Sequence, residues 1–283
     1  MLSVCATPIG NLGDITPRVL DALRAADLIA AEDTRHTRKL LSHFDIHTPL
    51  TSLFKHNEAQ KTEEVLRLLR DDKHIALVAD AGTPGIADPG MRLVSRAKAE
   101  GLPVTVLPGP SAMVTAIVAA GYESDGFRFV GFLPRRTVEL EAALHEWRRC
   151  GGLVVAFQTG PRLAASLAVL AAVLPEAPAA VCRELTKLHE EVVRGSLREL
   201  SDRFVPDGPD GGRSPLRGEI AMVIDLGAPL DEAAASRPHA AAAARELLGR
   251  GLSRRDTAAA LRVCLGLSHR DAEMLAREMA AEA

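Results

Sequence analysis

Short apolar runs, rich in β-branched or small residues, punctuate the chain up to Ala120: Leu2 to Ala6, Leu28 to Ala31, Ile75 to Ala79 and Val104 to Leu107. Between them the apolar positions recur at helical spacing. Thr16 followed by Pro17 suits a helix start, Asn57 suits the cap of the helix carrying Val65, Leu66 and Leu69, and Ser111 suits the opening of Ser111 to Ala120. Uniformly apolar strands alternating with helices predict a mainly parallel sheet flanked by helices. After Gly121 the order restarts, with a helix around Leu140 to Arg149, a strand over Leu153 to Phe157 and a helix around Leu163 to Leu174. Strands are then predicted near Ala179 to Cys182, Glu190 to Val193 and Ile220 to Asp225. Val192-Val193-Arg194-Gly195 before Ser196-x-x-Glu199 reads as a strand running into a capping box.

Pro206 to Gly218 is dense in Gly and Pro with almost no apolar content, which predicts a mobile loop inside the second domain. Beyond Gly227 the composition shifts to Ala, Arg and Glu. There Gly251-Leu252-Ser253-Arg254-Arg255-Asp256 is echoed by Gly266-Leu267-Ser268-His269-Arg270-Asp271, each copy a helix stop, a Ser cap and an acidic residue at the capping-box position. The expected architecture is α/β: two tandem α/β domains, 1–120 and 121–228, and a helical appendage, 229–283, resembling helix-turn-helix.

The segment Ile75 to Gly90, IALVADAGTPGIADPG, runs from an apolar strand straight into a loop of Gly and Pro, with Pro89 placed to open the next helix. At the carboxyl end of a parallel strand such a loop can line a ligand crevice; without a ligand it is a long βα turn. Thr7-Pro8-Ile9-Gly10-Asn11-Leu12, Glu32-Asp33-Thr34-Arg35, Lys55-His56-Asn57-Glu58 and Leu107-Pro108-Gly109-Pro110-Ser111-Ala112 also fall where strands end. None matches the glycine pattern for a dinucleotide or a triphosphate. Loops with so much Pro offer few N–H donors to phosphate, and suit an adenosine bearing an amino-acid tail better.

The 283 residues suffice for a full core, and the length favours two domains over one. No apolar run reaches the length of a membrane span, and MLSVCATP lacks a basic region ahead of an apolar stretch, so a cytoplasmic protein is expected. Cys5, Cys150, Cys182 and Cys264 are isolated, which indicates neither a zinc site nor a disulfide framework and predicts small core residues. A net charge of −3 leaves any RNA contact to local basic patches.

Taken in order, TPIGNLGDIT, AEDTRHTRKLL, KHNE, VADAGTPGIADPG, LPGPSA and CRELTKLHEE resemble the ribosomal RNA small subunit methyltransferase I family, one of the tetrapyrrole-methylase-like (class III) methyltransferases. The resemblance spans Met1 to about Leu226, and the tail is similar to the family's C-terminal appendage. It implies an S-adenosylmethionine-dependent enzyme, usually a homodimer, that methylates the ribose 2′-hydroxyl of a decoding-centre cytidine in 16S rRNA and leaves S-adenosylhomocysteine. It places the cofactor between the two domains, against Pro8, Ala81, Gly82, Thr83, Ile86, Ala87, Ser111 and Ala112 from the first and Phe157, Leu185 and Met222 from the second. For the last three, plain core is the alternative. One departure is Phe157-Gln158-Thr159-Gly160-Pro161-Arg162, where the family commonly has an aromatic-Glu-Ser-Pro-His-Arg run: the acid and the His are missing and Arg162 is kept. Ala79 and Ala87 stand where Ser is usual.

Methyl transfer from a sulfonium is an in-line displacement that needs alignment and removal of the hydroxyl proton, and no metal. Asp33, His56, Glu58, Glu184 and Lys187 are the candidate bases or orienting groups, with His56 beside Asn57 foremost. Each has a structural alternative: Asp33 as a cap, Glu58 in a first helical turn, Glu184 with Lys187 as a surface pair. RNA would meet Arg35, Arg38 and Lys39, Arg135 and Arg136, and Arg254 and Arg255 in the tail, whereas Arg148 and Arg149 read as a solvated face. Two other readings stay open: a methyltransferase of the same fold acting on a tetrapyrrole precursor, and a non-catalytic RNA-binding module.

Overall fold

A computed structural model describes residues 1–204, 216, 218–229, 232–265, 267 and 269–282. The loop expected over Pro206 to Gly218 falls outside the described residues except at Leu216 and Gly218. The first sheet contains β1 (Leu2–Cys5), β2 (Leu28–Ala31), β3 (Leu50–Ser52), β4 (Ile75–Val78) and β5 (Val104–Leu107), joined in turn by α1 (Pro17–Ala25), α2 (Thr34–His43), α3 (Glu58–Arg70) and α4 (Met91–Ala99). It is parallel throughout, in the order β3-β2-β4-β1-β5. Its strands are apolar on both faces because both are covered: in β4, Ala76 and Val78 pack with Val19 and Leu23 of α1 and Leu40 of α2, while Ile75 and Leu77 pack with Leu66 of α3 and Leu93 of α4.

The caps follow the sequence at two of the three expected places. Thr16 accepts from the Val19 N–H and Ser111 from the Val114 N–H. Asn57 occupies the cap position of α3 without capping it; its side chain turns back, accepting from the Phe54 N–H at 2.8 Å and donating to the Ser52 carbonyl at 3.2 Å. Pro89 does not open α4, which starts at Met91 behind Gly90. Gly90 has φ 117°, and a Cβ there would lie 2.9 Å from Cδ2 of Leu77, so only glycine fits.

α5 (Ala112–Ala120) leads to the second sheet, formed by β6 (Phe127–Phe132), β7 (Leu153–Thr159), β8 (Pro178–Arg183), β9 (Glu191–Ser196) and β10 (Glu219–Asp225), with α6 (Thr137–Cys150), α7 (Gly160–Val173) and α8 (Leu197–Arg203) between them. The order is β6-β7-β10-β8-β9; only β6 and β7 run parallel. The capping box at Ser196 and Glu199 is formed. Both sheets belong to one compact unit, residues 1–142 and 153–225. A second unit comprises residues 143–152 and 226–283. It contains α9 (Glu232–Gly249), α10 (Arg254–Leu265) and α11 (His269–Glu282), whose apolar faces meet at Ala244, Leu261, Leu275 and Met279. The first copy of the tail repeat caps α10, Ser253 accepting from the Asp256 N–H at 3.2 Å; in the second copy Gly266 and Ser268 lie outside the described residues.

Two strands escaped the pattern. β3 has three residues behind Pro49, too short for a period to show, and β6 is an exposed edge strand with an irregular register between Phe129 and Phe132. The cysteines divide: Cys5 and Cys182 are buried, but Cys150 and Cys264, expected in a core, are exposed near helix ends.

Candidate functional site

Three loops meet at the carboxyl ends of the adjacent strands β4, β1 and β5. Thr7 and Gly82 exchange two backbone hydrogen bonds of 2.9 Å, and the Thr7 hydroxyl donates to the Ala79 carbonyl at 3.1 Å, so the loops after β1 and β4 are stitched together. Gly82 has φ 74°, where a larger residue is strained, and a Cβ there would meet Cγ2 of Ile9 at 3.6 Å and the Pro110 carbonyl of the loop after β5 at 3.8 Å. Against these loops stand the ends of β6, β7 and β8 and the start of β10, leaving a cleft of about 240 Å³.

The cleft is lined by Ala81, Gly82, Thr83, Ile86, Ala87, Ser111, Ala112, Phe157 and Leu185, the expected cofactor residues other than Pro8 and Met222. Pro8 is buried, and its neighbour Ile9 supplies the lining instead. Met222 is fully buried; Ala221 and Val223 on either side of it pack with the cluster around Ile9 and Leu185, and strand alternation turns Met222 to the opposite face. Phe157 is braced edge-on by Phe129 and Phe132, with centroids 4.9 and 5.8 Å away, and Phe132 lines the mouth while 54% exposed.

The cleft is acidic in a way the sequence reading missed. Asp88 and Glu219 line it. Burial, reinforced by Glu32, Asp80 and Glu219, pushes the Asp88 carboxyl up to about 7. Glu32 is also raised, by burial and then by Asp80. Asp80 accepts from the Asp33 N–H at 3.0 Å. The available signal was an acid set directly after two of the four apolar runs, Ala31-Glu32 and Ala79-Asp80.

None of the expected catalytic groups lines this cleft. Asp33 caps α2 through the Arg35 N–H, and the Arg35 guanidinium, at 2.7 and 3.1 Å, holds its carboxyl well below the usual range. His56 is exposed beyond β3, the outermost strand, and β2 and β4 lie between that strand and β1. Asn57 is occupied by Phe54 and Ser52, and Glu58 accepts from the Gly90 N–H at 2.8 Å, fastening α3 to the end of the Gly/Pro loop. Lys187 bridges Glu184 and Glu219 at 2.9 and 3.0 Å. Burial opposes ionisation of Glu184, yet the Lys187 ammonium and the Glu219 N–H outweigh it and lower the carboxyl; the two carboxylates likewise raise Lys187 against its own burial. In that loop Glu184 and Thr186 have φ of 51° and 64°, and the Asn11 N–H donates to Thr186 at 3.0 Å.

Gln158 fills the departure from the family pattern by donating to Ser166 of α7 at 2.7 Å and accepting from the Thr159 N–H at 2.9 Å. Arg162 donates to the Pro134 carbonyl at 3.0 Å and so ties down the segment that presents Arg135 and Arg136. Both of these arginines are exposed, Arg136 paired with Glu139 at 3.1 Å; Arg35, Arg38 and Lys39 are exposed on α2, and Arg254 and Arg255 on the first turn of α10. Arg148 donates to the Ala228 carbonyl at 2.9 Å. Among the described residues no group of His, Cys, Asp or Glu is arranged to hold a metal ion, and no helix is long and apolar enough to cross a membrane.

Residues 1–201 match the family model for Tetrapyrrole (Corrin/Porphyrin) Methylases. A Synechocystis protein named ribosomal RNA small subunit methyltransferase I is 38% identical over 283 residues, covering 100% of this chain and 99% of its own length. An Escherichia coli O157:H7 protein of the same name is 46% identical over 225 residues, 79% of this chain and 77% of its own. Among solved structures, diphthine synthase aligns with a TM-score of 0.58 at 17% identity, over 79% of this chain and 89% of its own. A Thermus thermophilus uroporphyrin-III C-methyl transferase complexed with S-adenyl homocysteine aligns with a TM-score of 0.54 at 17% identity, over 79% and 96%. These two likenesses concern the fold.

Proposed function

Because the chain belongs to the ribosomal RNA small subunit methyltransferase I family of tetrapyrrole methylases, we propose that it is an S-adenosylmethionine-dependent rRNA methyltransferase. Its target is the ribose 2′-hydroxyl of a decoding-centre cytidine in 16S rRNA, and its second product is S-adenosylhomocysteine. The observation that carries this reading is the cleft itself, where the loops after β1, β4 and β5 and the segment around Leu185, far apart in sequence and all within the family's motifs, line one cavity.

The residues fit the cofactor. Ala81, Gly82, Ala87 and Ala112 leave room for close backbone approach, the Phe157 ring offers a face to a cation, and Asp88 and Glu219 give the cleft a charge opposite to a sulfonium. When bound, the cofactor supplies an activated methyl group on a good leaving group. The chain's own residues hold and orient the reactants and exclude water. Arg35, Arg38, Lys39, Arg135, Arg136, Arg254 and Arg255 would hold the RNA backbone, which needs exposed cations and tolerates their spread along the surface. The same reading assigns a homodimer acting on the small ribosomal subunit in the cytoplasm, with domains 1–120, 121–228 and 229–283.

Incubation with methyl-labelled S-adenosylmethionine, undermethylated small subunits and, separately, a uroporphyrinogen tests it. Label in 16S rRNA is the expected result. Label in the tetrapyrrole alone, or none, refutes it.

A further inference from the structure

Asp88 lines the cleft, and its surroundings differ from those of the carboxylates that are held by a partner. Among the described residues none donates a hydrogen bond to it or pairs with it, although the loop that carries it is firmly held. Ala87 before it is in the left-handed region at φ 66°, and Gly90 after it is fixed by Glu58 on one side and by Leu77 on the other. A backbone so constrained, ending in an unpartnered acid, costs stability that folding alone does not require. By contrast, Asp33, Glu58, Glu184 and Glu219 are each engaged by a guanidinium, an ammonium or a backbone N–H.

We infer that Asp88 is the proton acceptor of the methyl transfer. The inference rests on the function proposed above. In the step, the hydroxyl proton passes to the Asp88 carboxylate as the oxygen lone pair forms the O–CH3 bond. The S–CH3 bond breaks with its electron pair staying on sulfur. Carboxylate and sulfonium both become neutral, so no net charge is created in the cleft, and the proton then leaves from the carboxylic acid to water.

The groups facing Asp88 explain why it suits this task. Glu32 after β2, Asp80 after β4 and Glu219 on β10 oppose its ionisation, with Asp33 bound to Asp80 behind them and Lys187 engaged by Glu219. A carboxyl poised near neutrality accepts protons far better than an ordinary one. A cation bound in the cleft shifts it back toward the carboxylate, so cofactor binding readies the base.

The test compares the unaltered chain with Asp88→Asn and Asp88→Glu in single-turnover methylation of undermethylated small subunits across the neutral pH range. Titration calorimetry of S-adenosylmethionine and thermal unfolding of the free chains accompany it. The unaltered chain is expected to gain rate with pH and level off above its shoulder, while Asp88→Asn binds cofactor but loses roughly 10²- to 10⁴-fold in rate and loses the shoulder. In the free chain a raised carboxyl binds its proton more tightly folded than unfolded, so stability is full below the unfolded value and falls as pH rises toward about 7. Asp88→Asn should remove that decline. A wild-type rate or an unchanged shoulder in Asp88→Asn overturns the inference. If that variant fails to fold or to bind, Asp88→Glu decides: a displaced shoulder supports the role, an unmoved one overturns it. Failure of the unaltered chain to methylate small subunits overturns the proposed function as well, whereas equal methylation by all three chains overturns this inference alone.

Discussion

Gly10→Ala should disturb the cleft from outside it. A Cβ on Gly10 would lie 2.5 Å from Cγ of Lys187, 2.7 Å from Oγ1 of Thr186 and 2.9 Å from the Leu185 carbonyl oxygen. Lys187 can swing away, but the Leu185 carbonyl is backbone and must retreat by about half an ångström to reach ordinary contact. The loop has little slack for this. Glu184 and Thr186 already sit at positive φ, at a cost on the order of 1 to 3 kcal/mol each, and the Asn11 to Thr186 hydrogen bond would be stretched. Overpacking of this kind costs about 1 to 3 kcal/mol, and in a chain of this size each kcal/mol lowers Tm by roughly 2 to 4 °C. Because Leu185 lines the cleft, S-adenosylmethionine affinity should fall as well, by about tenfold if some 1.4 kcal/mol of the strain is relieved only when the cleft is empty. Thermal unfolding and titration calorimetry read the two effects, and adding Thr186→Gly, which removes both a clashing oxygen and a strained residue, should restore part of each. Unchanged Tm and affinity in Gly10→Ala would refute the claim that this contact holds the cleft wall.

Gly82→Leu and Ser111→Trp should abolish cofactor binding measured by calorimetry while the sheets remain folded; the second also removes the α5 cap, worth about 1 kcal/mol. Arg135→Ala with Arg136→Ala should weaken small-subunit binding and flatten its salt dependence, with cofactor affinity unaltered; an unaltered salt slope would make the pair plain surface. A thiol reagent should modify Cys150 and Cys264 quickly and leave Cys5 and Cys182 until the chain unfolds, since burial raises these two thiols to about 12 and about 11.

The parallel sheet was legible because a strand buried on both faces shows an uninterrupted apolar run, as Ile75 to Val78 does, and because Thr16 and Ser111 cap by purely local geometry. The antiparallel pairing of β7, β10, β8 and β9 was not: β7, β8 and β10 are apolar and largely buried, β9 is a half-exposed edge strand, and none carries a mark of direction. The cleft lining followed from motif position at most of the loop residues, though in the loop after β1 it falls to Ile9 and not to Pro8. It failed at Met222, where being off by one residue along a strand changes the face. His56 falls outside the cleft lining for a reason the sequence does not show: Lys55-His56-Asn57-Glu58 ends a strand as the other motifs do, but its strand is the sheet's far edge, and strand order is a tertiary fact. Asp88 stood inside the most informative segment of the chain and drew no notice, because an acid between Ala and Pro in a loop is ordinary until its neighbours are known to be Glu32, Asp80 and Glu219.

The position of the transferred methyl group tests the central claim most directly. A ribose 2′-hydroxyl is the nucleophile of alkaline RNA cleavage, so methylation there protects the adjoining phosphodiester, whereas methylation of a base does not. Small subunits labelled by this enzyme, after alkaline hydrolysis of their 16S rRNA, should release the label in an alkali-resistant dinucleotide that begins with cytidine. Label recovered in mononucleotides would contradict the account.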